Sequence, residues 1–223
     1  MGETRNKVVD LINTKLRVKR EVFEKTKDVF LLLKEALKEV HLDLEKSSIN
    51  KDPIKLKITE VGSNEIRIKV GGDTIVFLMH SNVFDFEGSH KTKKLSYVRE
   101  DKYRSYCGQI YIYNFLDDSF EYNRVNDLGY LVARIFVNKD QHYFVEGNER
   151  LSFLFNDFGT AVLDKESLCS VIDEVIAYSL DFDLHTPPYR QVAIVTVDEI
   201  NQASHQQKIQ TGKRLGFKFK ADS

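Results

Sequence analysis

The sequence predicts an α+β fold: a long amphipathic N-terminal helix (or helical pair), an antiparallel sheet of about seven to nine strands, and one later helix packed on that sheet. Three patterns predict this class. A helical apolar period lies near the start, apolar and polar residues alternate between glycine turns in the middle, and a second helical period follows. We expect a helical segment at 1–50 and an antiparallel α+β domain at 51–223, packed as one structural unit.

The first element is a helix with one apolar face. Its apolar side chains recur at steps of four and three residues, at Ile12, Leu16, Phe23, Phe30, Leu33, Leu37, Val40 and Leu44. A helix of about 40 residues would be about 60 Å long and would overhang a compact domain of this size. We therefore expect it to break where Lys19 or Thr26 interrupts the stripe, or to project and bind a partner.

Projection of this helix would expose its stripe to a second protein. Four apolar residues would then form an interface for a homodimer or a protein partner, namely Phe23, Phe30, Leu33 and Leu37. The alternative is a core helix that buries the same stripe against the sheet.

A three-strand antiparallel meander follows the helix. Apolar and polar residues alternate at 54–59 and 66–70, and the third run, at 74–79, is apolar on both faces. Glycines between these runs supply the positive φ that tight turns need. Further strands are expected at 109–115, 131–137, 142–146, 150–155 and 191–197, with a short edge strand at 215–219. A helix is expected at 165–180, capped by Asp164, and a weak polar helix at 199–210.

Charge is unevenly distributed along the chain. The net formal charge is −1, but residues 1–107 carry +5, residues 108–207 carry −10 and residues 208–223 carry +4. The ends and the middle therefore face different neighbours, or the basic tail folds back onto the acidic middle.

No apolar run approaches the roughly 20 residues that span a bilayer, and the first ten residues lack a signal-peptide core. We expect a cytoplasmic protein with no membrane partner.

Two clusters are candidates for metal chemistry. His80 ends the third strand and Asp85 and His90 follow in a loop, a ligand set that suits zinc or manganese. Asp85, Glu100 and Lys102 stand in the order used by magnesium-dependent nucleases, in which two carboxylates hold the metal and lysine orients water. The alternative is a hydrogen-bonded histidine beside a solvated loop. No phosphate-loop, kinase or dinucleotide motif occurs, so we expect no cofactor.

Positive charge interleaved with aromatic rings is the third signal. Lysine and arginine neutralise phosphates, and aromatic faces stack on bases. The candidate nucleic-acid-binding residues are Lys91, Lys93, Lys94, Arg99, Lys102, Tyr103 and Arg104 in one segment, and Lys213, Arg214, Lys218 and Lys220 in the tail. We predict that the two segments converge on one face, away from the acidic middle. The alternative is a solvated lysine-rich surface.

The leading functional prediction is a non-enzymatic binding module that acts in an assembly and binds nucleic acid or a nucleotide through this basic surface. The alternative is a metal-dependent hydrolase or nuclease, built either on His80, Asp85 and His90 or on Asp85, Glu100 and Lys102. The first function requires salt-sensitive binding without turnover, whereas the second requires turnover that depends on a divalent metal.

Overall fold

Six antiparallel strands form one sheet, and each strand pairs with its neighbours along the chain. The computed structural model describes residues 2–47, 56–182, 186, 188–198 and 200. Its strands are β1 (Leu56–Val61), β2 (Glu65–Val70), β3 (Asp73–Met79), β4 (Gly108–Leu116), β5 (Tyr130–Val137) and β6 (Tyr143–Gly147). The α+β class is confirmed, but the sheet formed by the described residues has six strands and not seven to nine.

Seven α-helices occur in the described residues. They are α1 (Gly2–Leu11), α2 (Arg17–Ser47), α3 (Ser96–Glu100), α4 (Asp117–Glu121), α5 (Glu149–Leu154), α6 (Lys165–Leu180) and α7 (Tyr189–Val192). A π-helical turn at Ile12–Leu16 joins α1 to α2, and short 3-10 turns at Lys91–Lys94 and Lys102–Ser105 flank α3. None of the described helices is both long and apolar enough to cross a membrane.

The N-terminal helix does not break into a pair. Helical hydrogen bonding runs from Gly2 to Ser47, interrupted only by the π turn. Thr26 is fully buried, and its Oγ1 donates to the carbonyl oxygen of Val22 at 2.7 Å. The polar interruption is therefore satisfied inside its own helix and packs against the strand that begins at Gly108. The predicted helical pair is wrong for this reason.

The main core lies between one face of the sheet and the helices α2 and α6, which pack against each other. Phe30, Leu33 and Leu37 of α2 are each at most 1% exposed, and Phe23 packs against the same cluster. The four residues expected at a homodimer interface thus pack inside the chain itself. In this part of α2 the apolar stripe packs against the sheet, as the alternative interpretation of a core helix predicted.

Two segments that were expected to be strands are not strands. Residues 150–155 lie mostly in α5, because the Asn148 side chain accepts the backbone N–H of Leu151 at 2.8 Å and caps a helix there. Residues 191–197 begin inside α7 and contain no described strand. The expected elements at 199–210 and 215–219 fall outside the described residues, residue 200 excepted. The helix at 165–180 is confirmed, and Asp164 caps it by accepting the N–H of Ser167 at 2.8 Å.

A second, aromatic cluster covers the opposite face of the sheet at β5 and β6. Phe136 and Phe144 alternate along their strands with Ile135 and Val145 of the main core, so they face away from α2 and α6. The connection 80–107 between β3 and β4 packs onto them. It contributes the side chains of Phe86, Tyr97, Val98 and Cys107 to this cluster. This connection carries the candidate site.

Candidate ligand-binding site

The connection 80–107 is fixed to the turn between β5 and β6 by a polar network. Asp140 accepts hydrogen bonds from the Tyr97 hydroxyl at 2.7 Å and from Arg104 Nε at 3.0 Å. Asn138 donates to the Tyr97 hydroxyl oxygen at 3.0 Å and to the Arg104 carbonyl at 3.2 Å. Burial and the bond to Asp140 raise the pKa of Tyr97 far above its ordinary value, so this hydroxyl stays a donor. The connection that carries the site is therefore attached to the sheet by several hydrogen bonds.

A pocket of about 280 Å³ lies between this connection and the N-terminal helix, and we call it the lysine pocket. It is lined by Leu11, Lys15, Asp85, Lys93, Lys102, Tyr103 and Tyr106. The ammonium groups of Lys15 and Lys19 lie 5.8 and 5.7 Å from the centre of the Tyr106 ring. That of Lys102 lies 5.3 Å from the Tyr103 ring, and the two rings are 6.1 Å apart. Two distant chain segments thus bring cations and aromatic rings together.

The lysine pocket holds one internal ion pair. Lys93 Nζ lies 2.5 Å from Asp85 Oδ1, and Ser105 donates to the same oxygen at 2.7 Å. Burial alone would raise the pKa of Asp85, but the hydrogen bonds from Lys93 and Ser105, the charge of Lys93 and the backbone N–H of Phe86 together hold the pKa below its ordinary value. Asp85 is therefore ionised at neutral pH and cancels the charge of Lys93.

The two other lining lysines, Lys15 and Lys102, and the neighbouring Lys19 give the pocket its net charge. Within the described part of the chain, no carboxylate lies within ion-pair distance of Lys15, Lys19 or Lys102. Their positive charges add beside a neutral Asp85–Lys93 pair, so the pocket attracts anions. Lysine ammonium groups can donate to phosphate oxygens, and Tyr103 is half-buried with part of its ring accessible.

A second cavity, of about 430 Å³, lies on the other side of Asp85, and we call it the aromatic cavity. Its lining includes Phe84, Phe86, Phe136 and Phe144, with Asp85 shared between the two pockets. Phe136 and Phe144 stack with ring centres 4.7 Å apart, and Phe86 is tilted against both. Gln109 also lines this cavity, is only 6% exposed, and has no hydrogen-bond partner for its Oε1.

The structure brings together three of the predicted basic-surface residues and separates the others. Lys93, Lys102 and Tyr103 line the lysine pocket. Arg104 is committed to Glu100 and Asp140, and the remaining members are placed elsewhere. Lys91 donates to Asn156, Lys94 and Arg99 are exposed outside the pocket lining, and Lys213, Arg214, Lys218 and Lys220 lie outside the described residues. The predicted convergence of the two basic segments stays a prediction.

Sequence analysis missed Lys15 and Lys19 as site residues. Both belong to the N-terminal helix, some 80 residues from Tyr103 in sequence, so only the tertiary fold brings them to the tyrosines. One signal was present in the sequence, because Lys19 interrupts an otherwise apolar stripe at a position that faces the rest of the chain.

The expected metal centre is not formed. No group of three metal-ligating side chains occurs among the described residues. His80 Nδ1 instead accepts the N–H of Asn82 at 2.9 Å, and His90 Nδ1 pairs with the hydroxyl of Thr92 at 2.9 Å. Each histidine is thus occupied by a local partner, and Asp85 is bound to Lys93 and Ser105. The prediction that His80, Asp85 and His90 bind a metal is therefore wrong, and the three side chains instead stabilise the connection 80–107.

The nuclease-like set is also dispersed. Glu100 lies outside the lining of the pocket that holds Asp85 and Lys102, and its carboxylate pairs with Arg104 at 3.0 Å. Lys102 points to the Tyr103 ring, and Asp85 is neutralised by Lys93. This arrangement gives no support to a metal held by Asp85 and Glu100.

Comparison with known proteins assigns no family to the chain. No family model, curated protein or solved structure matches it. The functional proposal therefore rests on the chemistry of the pocket side chains.

Proposed function

We propose that this protein is a non-enzymatic binding module that holds a single-stranded nucleic acid at the lysine pocket. The observation that carries the proposal is the meeting of three ammonium groups, which form no ion pair with any described residue, with two tyrosine rings contributed by the same separate chain segment as one of them. Phosphates of a single strand would pair with these ammonium groups, as carboxylates do in an ion pair, and an unstacked base would lie on the ring of Tyr103. Action within a larger assembly is part of the same proposal.

The charges that bind ligand differ from those that stabilise the fold. Lys93 and Arg104 already hold carboxylates, so their substitution would disturb the connection 80–107 before it weakened any ligand contact. Lys15, Lys19 and Lys102 make no such ion pair in the described structure, so their substitution should leave the fold unchanged. These three lysines are therefore the ones to test.

The test is fluorescence anisotropy with a labelled single-stranded oligonucleotide of about 12 nucleotides at about 50 mM salt. The triple variant Lys15→Met, Lys19→Met and Lys102→Met should bind at least about tenfold more weakly than the wild type. Methionine keeps the length of the side chain and removes the charge.

A matched control changes the net charge equally but away from the pocket. It carries Lys38→Met, Lys46→Met and Lys165→Met, three lysines that pair with the carboxylates of Glu60, Asp43 and Glu39 respectively. Lys38 and Lys46 lie roughly 30 Å or more along the helix from Lys19. The control should bind as the wild type does. Equal binding by the wild type and the pocket variant would refute the site, and no binding at low salt would refute the function.

We also propose a homodimer, but its interface lies nearer the N-terminus of the long helix than the sequence predicted. The helical residues 2–16 bury no side chain, yet Val8, Val9, Ile12 and Leu16 are exposed and fall within one face of the helix. This face would pack against the same face of a second copy, while Leu11 and Lys15 stay at the lysine pocket.

Light scattering tests this second proposal. The wild type should be a dimer, and the double variant Ile12→Asp and Leu16→Asp should be a monomer. Leu42→Asp, which alters an equally exposed apolar residue further along α2, should leave the dimer intact. A wild type that is monomeric at its highest soluble concentration would exclude the dimer.

A further inference from the structure

The aromatic cavity has the volume and the apolar lining of a site for a flat ring. Its volume of about 430 Å³ lies within the range of small-molecule pockets. Phenylalanine rings from two strands and from the connection 80–107 form its apolar walls. A planar ligand would stack or pack edge-on against such walls more favourably than a flexible chain.

Gln109 supplies the polar recognition that the walls lack. It is buried at the start of β4, and its backbone carbonyl accepts the N–H of His80 at 2.9 Å, which fixes the residue in place. Its Oε1 has no partner, and an unpaired buried amide oxygen costs free energy until a donor reaches it. A carboxamide can accept from one atom and donate to the next, which matches a ring edge with adjacent donor and acceptor atoms. Nucleobases carry such edges.

The charges around this cavity exclude phosphate from it. Asp85, Glu87 and Glu146 all contribute to its lining. Lys93 neutralises Asp85, and Arg134 Nε donates to Glu146 at 2.7 Å, while Glu87 has no ion-pair partner in the described part of the chain. The net charge here is negative, opposite to that of the lysine pocket. A ligand that fills both should therefore be anionic at the lysine pocket and carry no negative charge at the aromatic cavity.

We propose that the aromatic cavity seats a nucleobase of the same strand whose phosphates lie in the lysine pocket, with Gln109 hydrogen-bonded to the edge of the base. This inference rests on the proposed function, and it adds a base-binding subsite to a phosphate-binding one. Asp85 lines both pockets, so the two subsites are neighbours on either side of this residue. One nucleotide unit supplies both the flat neutral ring and the adjacent negative charge.

The experiment compares two single-stranded probes of equal charge, one with bases and one abasic. Each is titrated against the wild type, Gln109→Met and Tyr103→Ala. Methionine matches the volume of glutamine and removes its hydrogen bonds. Gln109→Met should weaken binding of the base-bearing probe by about threefold to tenfold and leave the abasic probe unchanged. Tyr103→Ala, whose ring lies outside the aromatic cavity, is the reference for loss of stacking at the lysine pocket.

The outcomes separate this inference from the proposed function. If both probes bind and Gln109→Met changes neither, the aromatic cavity takes no base, while the lysine pocket still binds the strand. If the wild type binds the abasic probe as tightly as the base-bearing one, the inference is likewise overturned. This comparison uses only the wild type, so it does not depend on whether a variant folds. If neither probe binds at low salt, the proposed function and this inference fail together. A thermal melt of each variant confirms that it is folded.

Discussion

The close approach of Gly108 to Thr26 predicts a specific coupling between the sheet and the long helix. A Cβ added at Gly108 would lie 2.7 Å from Thr26 Cγ2 and 2.8 Å from Thr26 Cβ, and closer still to Oγ1. Contacts below 3.0 Å force a side chain or a backbone segment to move, and both residues are fully buried between β4 and α2. Gly108→Ala should therefore reduce the free energy of unfolding by about 3 kcal/mol, near the upper end for overpacking.

A double-mutant cycle separates this clash from a general effect of alanine. Thr26→Ala removes the two closest atoms and should by itself cost about 1 kcal/mol through the lost methyl group. In the double variant the two closest contacts are gone and only the 2.8 Å contact with the Cβ of residue 26 remains, so the clash is partly relieved and the two effects should fall short of additivity by about 1 kcal/mol. Urea denaturation at constant m-value measures both quantities. Gly88→Ala is the control, because nothing lies within 4 Å of a Cβ at that position. Additive effects, or a Gly108→Ala variant as stable as this control, would refute the packing argument.

Three further predictions concern the network, the ion pair and the core. Asn138→Ala should cost about 2–4 kcal/mol in chemical denaturation, because this fully buried residue makes four hydrogen bonds, whereas exposed Asn156→Ala should change little. The pKa of Asp85 is lowered in the folded state, so its contribution to stability is present above about pH 4 and is lost as pH falls through the folded pKa. The stability difference between wild type and Asp85→Asn should shrink in that acidic range, and a constant difference would contradict it. Phe30→Ala should cost about 3–5 kcal/mol independently of protein concentration, as a core residue does.

The regular elements of the fold were predictable because local patterns and tertiary packing agree there. Apolar and polar residues alternate in β1 and β2, glycines form the turns of the meander, and α6 has both an apolar stripe and an Asp164 cap. The prediction failed at α5, where a run of apolar residues looked like a strand but the Asn148 cap starts a helix. It also failed at Thr26, because a polar interruption in a stripe cannot be distinguished from a close helix–strand contact without knowing where Gly108 lies.

The site was less predictable than the fold, because its parts are separated in sequence. Basic residues between Lys91 and Arg104 could be seen as a cluster, but their partners could not. Arg104 pairs with Asp140 and Lys93 pairs with Asp85, so Lys102 is a pocket-lining cation of that segment for which the described residues provide no ion pair. The other two proposed phosphate contacts, Lys15 and Lys19, come from the N-terminal helix, which only the tertiary fold brings to the tyrosines.

The salt dependence of binding tests the central proposal most directly. The logarithm of the binding constant for a single-stranded oligonucleotide should fall linearly with the logarithm of the salt concentration, by about 0.7 for each neutralised phosphate. Removing Lys15, Lys19 and Lys102 together should therefore make the slope shallower by about 2, and the control variant at Lys38, Lys46 and Lys165 should keep the wild-type slope. An identical slope for the wild type and the pocket variant would contradict phosphate binding at the lysine pocket.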